Sequence, residues 1–134
     1  MKAENIVNGL RVKVKKSSPM PQAKGKFGTV VGKTYVRDTE TYVKVVIDGV
    51  DTIDDCHTLD ITSLKYSQET PVVGDRFVVR KGCKPLFQKG ACGVVEWIDS
   101  DGDVFVKFDS GDYNSVDGLW FASLPRLAII REIL

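Results

Sequence analysis

One stretch of this chain occurs twice. Gly90-Ala91-Cys92-Gly93-Val94-Val95-Glu96-Trp97-Ile98 leads through an Asp/Ser/Gly turn, Asp99–Asp103, into Val104-Phe105-Val106-Lys107-Phe108-Asp109. Earlier, Gly25-Lys26-Phe27-Gly28-Thr29-Val30-Val31 leads through a longer turn, Lys33–Thr41, into Val43-Lys44-Val45-Val46-Ile47-Asp48-Gly49. Asp101-Gly102 between two β-rich runs predicts a hairpin. The two halves align at an offset of 65 from Gly9/Gly74 to Val30/Val95, and at 61 from Val45/Val106 to Asp48/Asp109. Toward the end an offset of 60 pairs Leu59 with Leu119, Ile61 with Phe121 and Leu64 with Leu124. Offsets that change only inside loops are what divergent copies of one fold produce.

Each copy reads as five short strands. Leu10, Val12 and Val14 alternate with Arg11 and Lys13, which predicts one buried and one charged face. The second copy repeats this over Arg76–Arg80. A proline-containing loop follows, then the glycine pair and the hairpin. A fourth strand is expected near Thr58–Ile61 and Gly118–Phe121, and a fifth near Leu64–Tyr66 and Leu127–Ile133. Single helical turns are expected at Asp60–Ser63 and Trp120–Ser123. The linker is placed at Tyr66–Pro71. Strands this short must hide their edges, and partial barrel closure does so economically. The alternative is one continuous β-sandwich in which the repeat is only historical.

The chain has 134 residues with 43% hydrophobic and 28% charged content, in the range of globular proteins. No apolar run has membrane-spanning length. The N-terminus lacks a segment of signal-peptide character. Three cysteines without a regular framework fit a reducing interior. A cytoplasmic protein without membrane association is therefore expected. Net charge is +1, but its distribution is uneven. Residues 1–37 carry nine Lys/Arg against Glu4 alone, and residues 38–66 carry two bases against seven acids. The second copy also starts basic and turns acidic.

Gly-x-x-Gly-x-Val, preceded by a basic strand and loop and followed by a Val-x-Val strand, resembles the KOW motif and related SH3-like barrels, including Tudor-like domains. Gly25, Gly28 and Val30 carry it in one half; Gly90, Gly93 and Val95 carry it in the other. The resemblance implies an all-β chain of two tandem five-stranded SH3-like barrels packed together, over residues 1–66 and 71–134. It also implies non-catalytic binding to nucleic acid, RNA polymerase, the ribosome or a peptide.

The residues themselves offer little for catalysis. The single histidine, His57, sits in the polar turn Asp54-Asp55-Cys56-His57 and reads as a surface residue. Adjacent strand residues point to opposite faces, so Cys56 and His57 make a poor nucleophile–base pair. Cys56, His57, Cys83 and Cys92 lack zinc-site spacing. Asp99, Asp101 and Asp103 have the spacing of a calcium loop, but a strand begins where that loop should continue. No cofactor, metal or enzymatic activity is expected.

Binding is more legible. Arg11, Lys13, Lys15, Lys16, Lys24 and Lys26 in copy one, with Arg76, Arg80, Lys81, Lys84 and Lys89 in copy two, are the candidate contacts to DNA or RNA phosphates. The other reading is a solvated face whose lysines discourage edge pairing. Trp97, Phe105 and Trp120 are large rings where copy one has Gly32, Lys44 and Asp60. With Tyr113 they form either a seam between barrels or a platform for a ligand or protein partner. The leading expectation is a regulator of transcription or translation that binds nucleic acid, or a protein machine bound to it. The alternative is a protein–protein adaptor or inhibitor using the aromatic and acidic surface of copy two.

Overall fold

The computed structural model describes residues 1–80, 89–109, 120–122 and 127–131. The chain divides into two compact units, Met1–Ser67 and Gln68–Ile130. Arg131 belongs with the first, where its amide donates to the Gly9 carbonyl at 2.8 Å.

The protein is all-β. The first unit holds β1 (Arg11–Val14), β2 (Phe27–Arg37), β3 (Glu40–Ile47), β4 (His57–Asp60) and β5 (Leu64–Tyr66). The second holds β6 (Arg76–Val79), β7 (Cys92–Ile98), β8 (Val104–Phe108), β9 (Trp120–Ala122) and β10 (Leu127–Ile130). Their antiparallel sheets run β4-β3-β2-β1-β5 and β9-β8-β7-β6-β10, one order in both units. Among the described residues no pairing joins β4 to β5 or β9 to β10, so the expected barrel closure is not seen. Nor, among the described residues, is any helix long and apolar enough to cross a membrane.

The duplication extends to individual hydrogen bonds. Gly9 N–H donates to Val30 O as Gly74 N–H does to Val95 O, both at 2.8 Å. Gly25 to Val14 matches Gly90 to Val79, and Asp48 to Phe27 matches Asp109 to Cys92. Val12 lies opposite Gly28 as Phe77 lies opposite Gly93. The later strands correct the expected alignment. Leu59 faces Val43 where Ala122 faces Val104, an offset of 122 − 59 = 63 rather than 60. Leu64 and Leu127, facing Val14 and Val79, keep the same 63. Trp120 thus takes the place of His57, and the turn expected at Trp120–Ser123 gives way to strand over Trp120–Ala122. In the first unit the turn does form, as a 3-10 turn over Ile61–Ser63 capped by Asp60.

Alternation decides the core. Val12, Val14, Val30, Val43, Val45, Ile47, Leu59 and Leu64 are buried in the first unit. Phe77, Val79, Val95, Val104, Val106, Phe108, Leu127 and Ile129 form the core of the second. Phe77 meets Phe108 edge to face at 5.5 Å. The two glycines of each motif do different work. Gly25 and Gly90 take φ of +77° and +92°, which only glycine adopts without strain. Gly28 and Gly93 leave space instead. A Cβ on Gly93 would lie 2.3 Å from Lys107 O and 2.7 Å from Phe77 Cζ.

The four extra residues of copy one do not lengthen a loose turn. They extend the hairpin past an irregularity between Val31 and Tyr35, pairing Tyr35 with Tyr42 and Arg37 with Glu40. The strands are joined by Asp38-Thr39, with Asp38 at φ 58°, a conformation aspartate tolerates.

Candidate nucleic-acid interface

The outward face of the first sheet carries a basic row. Lys13 on β1 lies directly opposite Lys65 on β5 and, on its other side, opposite Phe27 on β2. Its ammonium sits 5.3 Å from the Phe27 ring centroid. Like charges directly opposite each other across two strands repel. Among the described residues, neither lysine has a carboxylate in salt-bridge range. The chain beyond Lys13 adds Lys15, Lys16, Lys24 and Lys26. All lie in the loop between β1 and β2, pinned by the Gly25 amide on Val14 O and the Lys15 amide on Ser63 O. Lys44, opposite Val31 and Thr58, extends the face. Lys65 and Lys44 were not among the expected contacts, which all came from the first strand and following loop of each copy. Their signal was the alternation Leu64-Lys65-Tyr66 and Val43-Lys44-Val45.

Arg11 is different. It is only 4% exposed, and its guanidinium binds Asp48 through two nitrogens, at 2.9 and 2.5 Å, and Thr29 Oγ1 at 2.8 Å. It organises the sheet and does not offer a free cation. The second unit repeats the pair as Arg76–Asp109 at 2.5 Å, with both side chains more than half exposed. The rest of the row has changed there. Val78 and Ala128 stand where Lys13 and Lys65 stand, and Cys92 where Phe27 stands. Arg80 is half-buried and Lys89 exposed. Lys81, Lys84 and Tyr113 lie outside the described residues. Among the described residues, the facing lysine pair is therefore confined to the first unit.

The second unit brings two predicted aromatics together. Trp97 and Phe105 stack at 4.9 Å with an interplanar angle of 27°, and Trp97 is 52% exposed. Trp120 is placed by its backbone opposite Val106.

His57 is not the surface residue its polar turn suggested. Its side chain is 12% exposed, and its Nδ1 lies 2.7 Å from Asp51 Oδ2, which also accepts the Ile47 amide at 2.9 Å. Burial pushes the Asp51 carboxyl up, but the bonds from His57 and Ile47 outweigh it and hold it below its ordinary value. A depressed carboxylate stabilises the fold above its ordinary pKa, and that contribution fades as pH falls through the folded value. We expect the wild-type urea midpoint to fall on acidification below about pH 4. Asp51→Asn should cost about 1.5–3 kcal/mol at pH 7 and flatten that acid limb. An acid limb unchanged by the substitution would contradict the assignment. Burial raises the neighbouring Cys56 thiol, opposed by Lys44 and reinforced by Asp51, Asp55 and Asp54. A raised thiol is the reverse of an activated nucleophile.

Carboxylate oxygens of Asp99, Asp101 and Asp103 lie within 4.8 Å of one another. Asp99 Oδ1 accepts the amides of Asp101 and Asp103, each at 2.9 Å, so the group builds a hairpin tip. Burial, then the charges of Asp99 and Asp101, push the Asp103 carboxyl up. The chain matches no protein-family model and no curated protein.

Proposed function

We propose that this protein is a non-catalytic, nucleic-acid-associated regulator built from two tandem SH3-like units of the KOW/Tudor-like kind, acting on transcription or translation in the cytoplasm. One observation carries the binding reading: Lys13 and Lys65 face each other across β1 and β5, and among the described residues no carboxylate lies in salt-bridge range of either. Such repulsion is relieved when a phosphate lies between the two ammonium groups. Lys15, Lys24 and Lys26 would extend contact along a strand of DNA or RNA. The shared strand order and the Gly-x-x-Gly-x-Val motif in each unit support the family reading.

The test is a salt series with short DNA and RNA, single- and double-stranded. For five phosphate contacts, log K should fall against log salt with a slope of about −3.5 on single strands and about −4.5 on duplex. Lys13→Glu/Lys65→Glu should weaken binding at least ~10-fold at low salt and reduce the slope by about 2. Arg76→Ala, which removes a paired guanidinium, should change little. Absence of binding at low salt would end this reading. The aromatic pair favours a second one, a protein adaptor or inhibitor. Half-exposed Trp97 stacked on Phe105 offers a flat apolar anchor of the sort that dominates protein interfaces. Trp97→Ala would then abolish partner capture and leave the salt series intact.

A further inference from the structure

The hairpin extension of the first unit borders a cleft at the edge of the sheet formed by β3 and β4. It has a volume of about 450 Å³ and is lined by residues 17–20 of the β1–β2 loop, by Glu40 and Tyr42 on β3, by Leu59 and Asp60 on β4, and by the 3-10 turn. Tyr42 is held from both sides. Its ring meets Tyr35 at 6.0 Å and 31°, and its hydroxyl donates to Glu40 Oε2 at 2.5 Å. Asp60 stands directly opposite Tyr42 and caps the 3-10 turn through one oxygen, Oδ1, which accepts the Thr62 amide and hydroxyl. One oxygen each of Glu40 and Asp60 thus remains uncommitted, and among the described residues no cation pairs with either carboxylate.

From this arrangement we infer that the cleft binds an extended peptide segment through one Lys or Arg side chain, seated between Glu40 and Asp60 against the Tyr42 ring. The chemistry is charge complementarity joined to a cation on an aromatic face. Met20 on the loop, 37% exposed, supplies apolar surface for the alkyl stem of such a side chain. The local field agrees. The hydrogen bond to Glu40, burial, and the charges of Glu40 and Asp60 hold the Tyr42 phenol above its ordinary value, against the pull of Arg37. Among the described residues, the second unit does not repeat the hairpin wall of the site. Its hairpin ends at Ile98 opposite Val104, and Asp103 holds the place of Tyr42.

The test is a two-dimensional amide NMR titration of the full chain with acetyl-Gly-Gly-Arg-Gly-Gly-amide. Its controls are the same peptide with norleucine for arginine, and spermidine. The arginine peptide should shift amides of residues 17–20, 42 and 58–63, and the norleucine peptide should not. Glu40→Gln/Asp60→Asn should weaken the arginine peptide at least fivefold. These substitutions keep an acceptor for the Tyr42 hydroxyl and a cap for the 3-10 turn, so the fold is retained. Equal shifts from the norleucine peptide, shifts confined to other residues, or indifference to the double substitution would each overturn the inference. So would spermidine occupying the cleft while the arginine peptide does not. Lys13→Glu/Lys65→Glu should leave the titration unchanged, so this inference and the nucleic-acid reading fail separately.

Discussion

Gly93→Ala should lower the stability of the second unit by about 3 kcal/mol or more, a large overpacking effect for the addition of one methyl group. The new Cβ would lie 2.3 Å from Lys107 O and 2.9 Å from Phe108 Cα, both backbone atoms, and 2.7 Å from the Phe77 ring. A flexible side chain could swing away, but two backbone atoms of a paired strand cannot. The strand must separate from its neighbour or Phe77 must leave the core. Both tryptophans, Trp97 and Trp120, belong to this unit, so tryptophan fluorescence in a urea or thermal titration reads it directly. For a unit of this size, ~3 kcal/mol corresponds to a midpoint more than about 10 °C lower. Gly90→Ala should cost less, about 1–2 kcal/mol, because its penalty is the positive φ alone and nothing lies within 4 Å of the added methyl. A Gly93→Ala midpoint within 2 °C of wild type, about a fifth of the expected fall, would mean that the β7–β8 packing is not as described.

Removing the equivalent arginines should have very unequal effects. Arg11 and Arg76 occupy the same place in the repeat and bind equivalent aspartates, Asp48 and Asp109, at the end of the hairpin. Arg11 is 4% exposed and also satisfies Thr29 Oγ1, whereas Arg76 is 53% exposed. Truncating Arg11 strands the buried Thr29 hydroxyl and opens space inside packed structure. Asp48, half exposed, recovers part of its hydration. Arg11→Ala should therefore cost about 2–3 kcal/mol. Arg76→Ala should fall within ~0.5 kcal/mol of wild type, the ordinary worth of a solvent-screened pair. Urea denaturation of both variants at low and high salt checks this, and only the Arg76 difference should shrink with salt. Equal costs at the two positions would contradict the burial that separates them.

The duplicated β unit was legible because strand alternation and glycine spacing are local properties. Leu10-x-Val12-x-Val14 and its counterpart specify which face is buried wherever the strand lies. The role of Gly28 and Gly93 was not legible. A positive φ is a local demand, but closeness to Lys107 O or Val45 exists only once another strand has paired. The alignment slipped by three residues after the hairpin for the same reason, since only cross-strand register ties Trp120 to Val106 and Leu127 to Val79.

The candidate interface divides along the same line. Positive charge in the first third and the added aromatic rings of copy two are visible in the residues alone, because composition needs no partner. How those residues act depends on which of them the folded sheets bring together. Pairing of the strands set Lys65 beside Lys13, buried Arg11 against Asp48, and placed Glu40 and Tyr42 of the lengthened hairpin on the wall of a cleft. Each outcome joins residues far apart in the chain, and pairing and burial between distant segments are not encoded in any single stretch.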